Sequence, residues 1–311
     1  MVVSVARRAV VLGAVAALTV LTASCASKKT TGTAGSGPLK GATFTVGSKE
    51  FTEQKILCEI TAQALERAGA TVKRQCGLSG SVTVRTALTS GRIDMYWEYT
   101  GTGWITHLKH TSPIHDSKGQ YDAVAQEDLT KNKIKWLPAA PFDNTYAVGV
   151  QKDNLPEVKT LSDYAALVKS DASKGSLCVA TEFVNRDDGL PGLEKTYGFS
   201  GEKKSTLDEG AIYNSIKKKS PCNFGEVFTT DGRIERLGLR VLEDDKNFFP
   251  VYNPALNVRD SVFQKYPKIA DVFAPIATAL TTETMQGLNS QVDNDGDSPA
   301  QAATSFLDKH K

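Results

Sequence analysis

The chain has 311 residues, of which 23% are charged and 40% hydrophobic, a balance ordinary for a folded protein that excludes a disordered chain. At this length one large or two smaller domains are needed, and two are expected. Its 37 basic and 35 acidic residues are spread along the chain for a net charge of +2, without the concentrated basic stripe that nucleic-acid binding requires.

Arg7 and Arg8 precede an apolar run over residues 9–21, and Leu21-Thr22-Ala23-Ser24 leads through small residues into Cys25. The run is too short to cross a hydrocarbon core of ~30 Å. It resembles a cleaved bacterial lipoprotein signal, residues 1–25, ending at the lipobox Cys25. Acyl chains on that cysteine would anchor the mature protein to the membrane, outside the cytoplasm. Thr22 departs from the usual lipobox Leu, and an ordinary secretory signal is the alternative. Residues 26–40 are rich in Lys, Thr, Gly, Ser and Ala and read as a flexible tether.

From residue 41 onward strand and helix patterns alternate. Residues 42–46 read as a strand and 53–68 as a helix carrying Ile56, Leu57, Ile60, Ala64 and Leu65 on one face. A strand at 71–75, a helix at 82–90 and a buried strand at 93–97 follow, running into Glu98-Tyr99-Thr100-Gly101-Thr102-Gly103. The middle of the chain repeats the plan, with strands at 145–150, 177–180, 226–229 and 239–242 and helices at 161–168, 192–197 and 208–218. A strand at 255–258 and helical patterns at 262–273, 276–280 and 299–307 close the chain. This order predicts α/β lobes with mainly parallel sheets, and two lobes of similar plan predict a ligand cleft between them.

In an exported protein Cys58, Cys76, Cys178 and Cys222 form an even set for which disulfides are the default. Connectivity does not follow from the sequence. Pairing Cys58 with Cys76 and Cys178 with Cys222 keeps each bond within one expected lobe; free buried thiols are the alternative.

Asp293-Asn294-Asp295-Gly296-Asp297 superficially suggests a calcium loop but lacks the required Gly register and Glu; a solvated turn is expected. His107, His110 and His115 do not define a closed metal site and read as titratable loop residues. Lys217, Lys218 and Lys219 read as a solvated helix end. No nucleophile elbow, phosphate-binding loop or zinc-protease motif is present, so neither an enzyme, a cofactor nor a metal is expected.

Six blocks occur in a family's order: Gly47-Ser48-Lys49-Glu50-Phe51-Thr52-Glu53-Gln54, Ile93-Asp94-Met95-Tyr96-Trp97-Glu98-Tyr99-Thr100-Gly101-Thr102, Asn144-Thr145-Tyr146-Ala147, Asn185-Arg186-Asp187-Asp188-Gly189, Thr230-Asp231-Gly232-Arg233-Ile234 and Leu242-Glu243-Asp244-Asp245-Lys246-Asn247-Phe248-Phe249-Pro250. From about residue 43 to the C-terminus the chain resembles the substrate-binding lipoproteins of osmoprotectant ABC importers, which take glycine betaine, proline betaine, choline or carnitine. The resemblance implies the two-lobe, type II periplasmic-binding-protein fold with two interlobe crossovers. Lobe 1 would combine residues 41–145 and 253–311, and lobe 2 would be 146–252. It implies a monomer that captures a small quaternary-ammonium zwitterion, glycine betaine before others, and delivers it to a membrane permease driven by an ATPase. A receptor for another small zwitterion or amino acid, or a surface sensor without transport, are the alternatives.

A trimethylammonium group offers no N–H, so its charge is best met by aromatic faces, each contributing roughly 0.5–2 kcal/mol when desolvated. A ligand carboxylate wants Arg, Lys or backbone N–H donors. By resemblance the cage falls on Tyr99, Tyr146, Tyr252 and Phe228, the last usually a Tyr, so that a hydroxyl is lost. The carboxylate partners fall on Arg186 and Lys49. Thr102 stands where choline-restricted relatives carry an acid. Each has a plainer reading: core packing for the rings, an internal ion pair with Asp187 or Asp188 for Arg186, a solvated loop cation for Lys49. Trp97 and Trp104 read as packing residues beside the site.

Overall fold

The computed structural model describes residues 37–310. The lipobox signal ending at Cys25 and all but the last residues of the 26–40 tether lie outside the described residues. Ten strands form two sheets: β1 (Thr43–Lys49), β2 (Thr71–Leu78), β3 (Met95–Tyr99), β4 (Ile134–Trp136), β5 (Tyr146–Gln151), β6 (Leu177–Val179), β7 (Lys204–Thr206), β8 (Phe224–Phe228), β9 (Leu239–Val241) and β10 (Pro254–Arg259). The first sheet has the order β2-β1-β3-β10-β4 and the second β7-β6-β8-β5-β9. The chain therefore crosses from the first sheet to the second after β4 and returns after β9. This is an α/β fold with a helix-flanked sheet in each lobe.

The sheets are less parallel than the sequence predicts. In each, the strand entered after a crossing, β5 or β10, runs antiparallel to both neighbours, whereas the β2-β1-β3 and β7-β6-β8 pairings are parallel. Parallel order follows from helical crossovers within one sheet, and a strand arriving from the other lobe has no such crossover to fix its direction.

Elements with strong apolar periodicity lie close to their predicted places. Helix Thr52–Arg67 buries Ile56, Leu57, Ile60 and Leu65, and helix Leu161–Ser170 starts at a Thr160 capping box closed by Asp163. The 262–273 pattern is two helices, Asp260–Lys265 and Ile269–Ala279, because Pro267 bars Tyr266 from helical geometry. The 276–280 pattern belongs to the second of these. Helix Ser117–Asn132, capped by Asp116, has no counterpart in the sequence reading; the side chains it buries are Gln120, Val124 and Asp128, which make no apolar stripe. Helix Thr282–Asp293 is likewise new and ends at Asp293, so the acidic stretch begins on a helix rather than in a turn.

Disulfides join Cys58 to Cys76, tying helix Thr52–Arg67 to β2, and Cys178 to Cys222, tying β6 to the segment before β8. Among the described residues no helix is long and apolar enough to cross a membrane.

Candidate ligand cavity

Strand ends build the site. Lys49 ends β1, Tyr99 ends β3 and Phe228 ends β8, while Tyr146 opens β5 opposite Phe228 and Tyr252 lies just before β10. Thr102 sits in the helical turn after β3, and Arg186 follows the short helix Thr181–Val184. All seven line one cavity of about 20 Å³, together with Glu50, Phe51, Asn144, Glu182 and Glu209. That volume is about enough for a single water, so the walls must part to admit anything larger.

The aromatic side chains form a connected wall. Phe51 stacks on Phe228 at 5.3 Å and on Tyr99 at 6.2 Å between ring centroids. Tyr146 lies 4.9 Å from Phe228 and meets Tyr252 edge to face at 5.6 Å. Phe51 is an aromatic member that the sequence reading passes over, although it stands inside the first family block. Tyr252 approaches so closely that a Cβ on Gly101 would meet its ring at 2.8 Å. Trp97 is instead core, donating from Nε1 to Thr61 Oγ1 at 2.8 Å, and Trp104 stacks on His110.

Buried acids orient two of the phenols. Tyr99 donates to Glu53 Oε1 at 2.7 Å and Tyr252 to Asp188 Oδ2 at 2.7 Å. Burial pushes the hydroxyls of Tyr99, Tyr146 and Tyr252 well above the ordinary phenol range, so each stays neutral and keeps its electron-rich face. Glu53 also accepts from Asn144, Thr230 and Asn289. It thereby joins the first lobe's helix, the first crossover, the loop after β8 and the C-terminal helices. Burial raises its carboxyl despite those bonds.

The two cations are both internally paired. Lys49 is buried, so the solvated reading fails, and its Nζ lies 2.7 Å from Glu98 Oε1 and 5.0 Å from the centroid of the Tyr99 ring. Glu98 further accepts from the Tyr96 hydroxyl at 2.7 Å and the Tyr99 amide at 2.8 Å, with His107 Nε2 at 2.9 Å. Burial opposes its charge, but the Lys49 ammonium and His107 hold the Glu98 carboxyl well below the usual range. His107 is therefore a buried partner on a π-helical turn, Gly103–His107, rather than a titratable loop residue, and burial lowers its own pKa.

Arg186 combines both of its readings: it lines the cavity and it is ion-paired. Nε and Nη2 donate to Asp188 at 2.8 and 2.5 Å, Nη1 to Glu182 at 2.7 Å, and Nη2 to Thr102 Oγ1 at 3.2 Å. One N–H of its five is left over. Its Cζ lies 5.4 Å from the Tyr146 ring centroid. Asp187, the other candidate partner, lines the outer cleft instead.

Glu182 reaches across to the first lobe, accepting from the Ser81 amide at 2.9 Å and the Ser81 hydroxyl at 2.6 Å, at the start of helix Ser81–Thr89. Burial would raise its carboxyl, but Lys49, Arg186 and Ser81 hold it down to about 2. Outside this latch an open cleft of about 800 Å³ shares Glu50, Phe51, Glu182, Arg186 and Glu209 with the aromatic cavity. Its volume exceeds that of the inner cavity, but its walls lack the ring cluster.

Residues 42–309 match the family described as the substrate-binding domain of the ABC-type glycine betaine transport system. A glycine-betaine-binding protein of Pseudomonas aeruginosa is 37% identical over 283 residues, covering 88% of this chain and 90% of that protein. The ergothioneine transport permease/ergothioneine binding protein EgtU of Helicobacter pylori is 33% identical over 267 residues, 85% of this chain but 47% of its own length. A crystal structure of a glycine betaine/carnitine/choline ABC transporter superposes with a TM-score of 0.69 at 27% identity, covering 86% of this chain and 97% of that one.

Proposed function

The chain belongs to the family of substrate-binding domains of ABC-type glycine betaine transport systems, and on that premise we propose that its aromatic cavity holds the quaternary ammonium of an osmoprotectant. It is a binding component and not an enzyme. The cage is Tyr99, Tyr146, Tyr252 and Phe228, with Phe51 as a fifth ring; glycine betaine is the leading ligand. Lys49 retains two N–H donors beyond Glu98 and Arg186 retains one, which together serve a carboxylate. Delivery goes to a membrane permease and its ATPase from outside the cytoplasm, with Cys25 as the lipid-bearing anchor.

The observation that supports this most is that seven residues from separate stretches of chain, four of them aromatic, line one cavity. A larger zwitterion is the second reading, favoured by the 800 Å³ cleft that continues from the cavity past Glu182 and Glu209 and by a relative named for ergothioneine. Calorimetry with glycine betaine, proline betaine, carnitine, choline, ectoine and ergothioneine decides between them. Saturable binding of a quaternary amine that is lost in Tyr146→Ala supports the proposal; no binding of any member overturns it.

A further inference from the structure

Glu209 opens helix Glu209–Lys218 and lines both the aromatic cavity and the outer cleft. It also lines a third, small cavity walled by Phe51, Phe228 and Thr230. Every other carboxylate around the aromatic cavity has donors: Glu50 takes the Gly80 amide, and Glu182 takes Ser81 and Arg186. Among the described residues the Glu209 side chain makes no hydrogen bond or ion pair. An acid at the mouth of a cation cage, unheld and half-buried, is placed to respond to the ligand.

Its surroundings are charged on all sides. Lys49 and Glu50 approach from the first lobe, and Glu182 and Arg186 share the cavity wall with it. Arg233 and Asp293 line the outer cleft and the third cavity with it, and Glu53 and Asp231 line the third. Buried Glu226 on β8, whose carboxyl is raised by burial and by the charge of Glu209, accepts from the Ala180 amide at 2.8 Å. Acids outnumber bases here, so a second full negative charge beside a ligand carboxylate would be repulsive. A protonated carboxyl would instead donate an O–H to it.

We propose that Glu209 discriminates between zwitterions and simple cations in this cavity. Protonated, it donates to a ligand carboxylate; ionised, it supplies counter-charge to a cation that has none. The inference rests on the quaternary-amine reading of the cavity. Burial, with Glu50 and Glu182 adding repulsion, pushes the Glu209 carboxyl up to about 8, which puts the exchange within reach of experiment.

The test is calorimetric titration of the full mature chain with glycine betaine and with choline between pH 6.5 and 9.5, in wild type and Glu209→Gln. Neither ligand titrates its quaternary ammonium, and an amide donates at every pH. In the wild type the ratio of betaine to choline affinity should fall about tenfold as pH rises, the change expected when the two complexes differ by one pKa unit at this group. In Glu209→Gln it should stay flat. A ratio that is flat in the wild type, or that falls equally in the variant, overturns the role of Glu209 while leaving the cage reading intact. Binding of neither ligand at any pH overturns both.

Discussion

Glu53 Oε1 accepts the Tyr99 hydroxyl at 2.7 Å, so a ring lining the cavity and the acid that knits both lobes and the first crossover share one hydrogen bond. Tyr99→Phe keeps the ring face and removes the donor from a buried carboxylate. Stability should fall by about 1–3 kcal/mol with little change in affinity for a quaternary amine. Tyr99→Ala should cost roughly 1–3 kcal/mol of affinity as well, by losing the face and its buried area. Denaturant melts and calorimetry on the two variants separate these effects, and equal affinity losses would show that the hydroxyl, not the ring, faces the ligand.

Arg186 carries four of its N–H groups to Asp188, Glu182 and Thr102. Arg186→Ala leaves Asp188 buried without its cation, and breaking such a pair costs about 3–5 kcal/mol of stability. If the remaining N–H reads a carboxylate, glycine betaine should lose more affinity than choline. Paired binding isotherms at a temperature where the variant stays folded give the answer, and equal losses would remove Arg186 from carboxylate recognition.

Stability should vary with pH in two opposing branches. Glu182 has its folded pKa held down to about 2, below its unfolded value, so its contribution is present above about 4.5 and fades as pH falls toward 2. Asp143, raised to about 6 by burial, and Glu209, raised to about 8, act oppositely. Each keeps its proton when the unfolded chain has released it, so stability declines as pH rises from about 4 through 6 and on to 8. Chemical denaturation from pH 3 to 9 should therefore peak in mildly acid solution, and Glu209→Gln should flatten the decline between 6 and 8. An unchanged slope in that variant would place the loss elsewhere.

The two disulfides close loops of different size, with sequence separations of 18 and 44 residues. On the chain-entropy account their loss destabilises by about 3 and about 4 kcal/mol respectively. Double Ser variants of each pair, compared by denaturant midpoint, should rank in that order.

What could be read in advance followed periodicity and local motif. Helix Thr52–Arg67 announces itself through Ile56, Leu57, Ile60 and Leu65, whereas helix Ser117–Asn132 rests on a polar cap and on Asp128, which bonds Trp136 just beyond the helix and Arg85, a partner remote in sequence. Lys49, Tyr99, Thr102, Tyr146 and Arg186 stood in recognisable blocks, but their states did not. Nothing local to Lys49 points to Glu98, a pairing that exists only because β1 and β3 end side by side. Glu209 was least visible of all, since an acid in the first turn of a helix is ordinary in any protein. Its relation to the cage arises only when helix Glu209–Lys218 is set against the end of β8.

Gly101 offers a test of how tightly the cage is drawn. Its backbone lies under Tyr252, and a Cβ there would stand 2.8 Å from two ring carbons and 2.9 Å from the Val251 carbonyl oxygen. The backbone oxygen cannot swing aside as a side chain can, so Gly101→Ala must displace the segment leading to Tyr252. That segment is the return crossover into β10, and Tyr252 also anchors Asp188 through its hydroxyl. Overpacking of this kind typically costs about 1–3 kcal/mol. Here the cost should appear in affinity as well as stability, because the displaced ring lines the cavity proposed to hold the ligand and its acid holds Arg186. Gly101→Ala should thus weaken a quaternary amine by about tenfold or more, at roughly 1.4 kcal/mol per factor of ten. Gly287→Ala, where a Cβ meets nothing within 4 Å, should leave binding as it is. Equal affinities for the two variants would mean that Tyr252 can yield without cost, and that the ring does not grip the ligand.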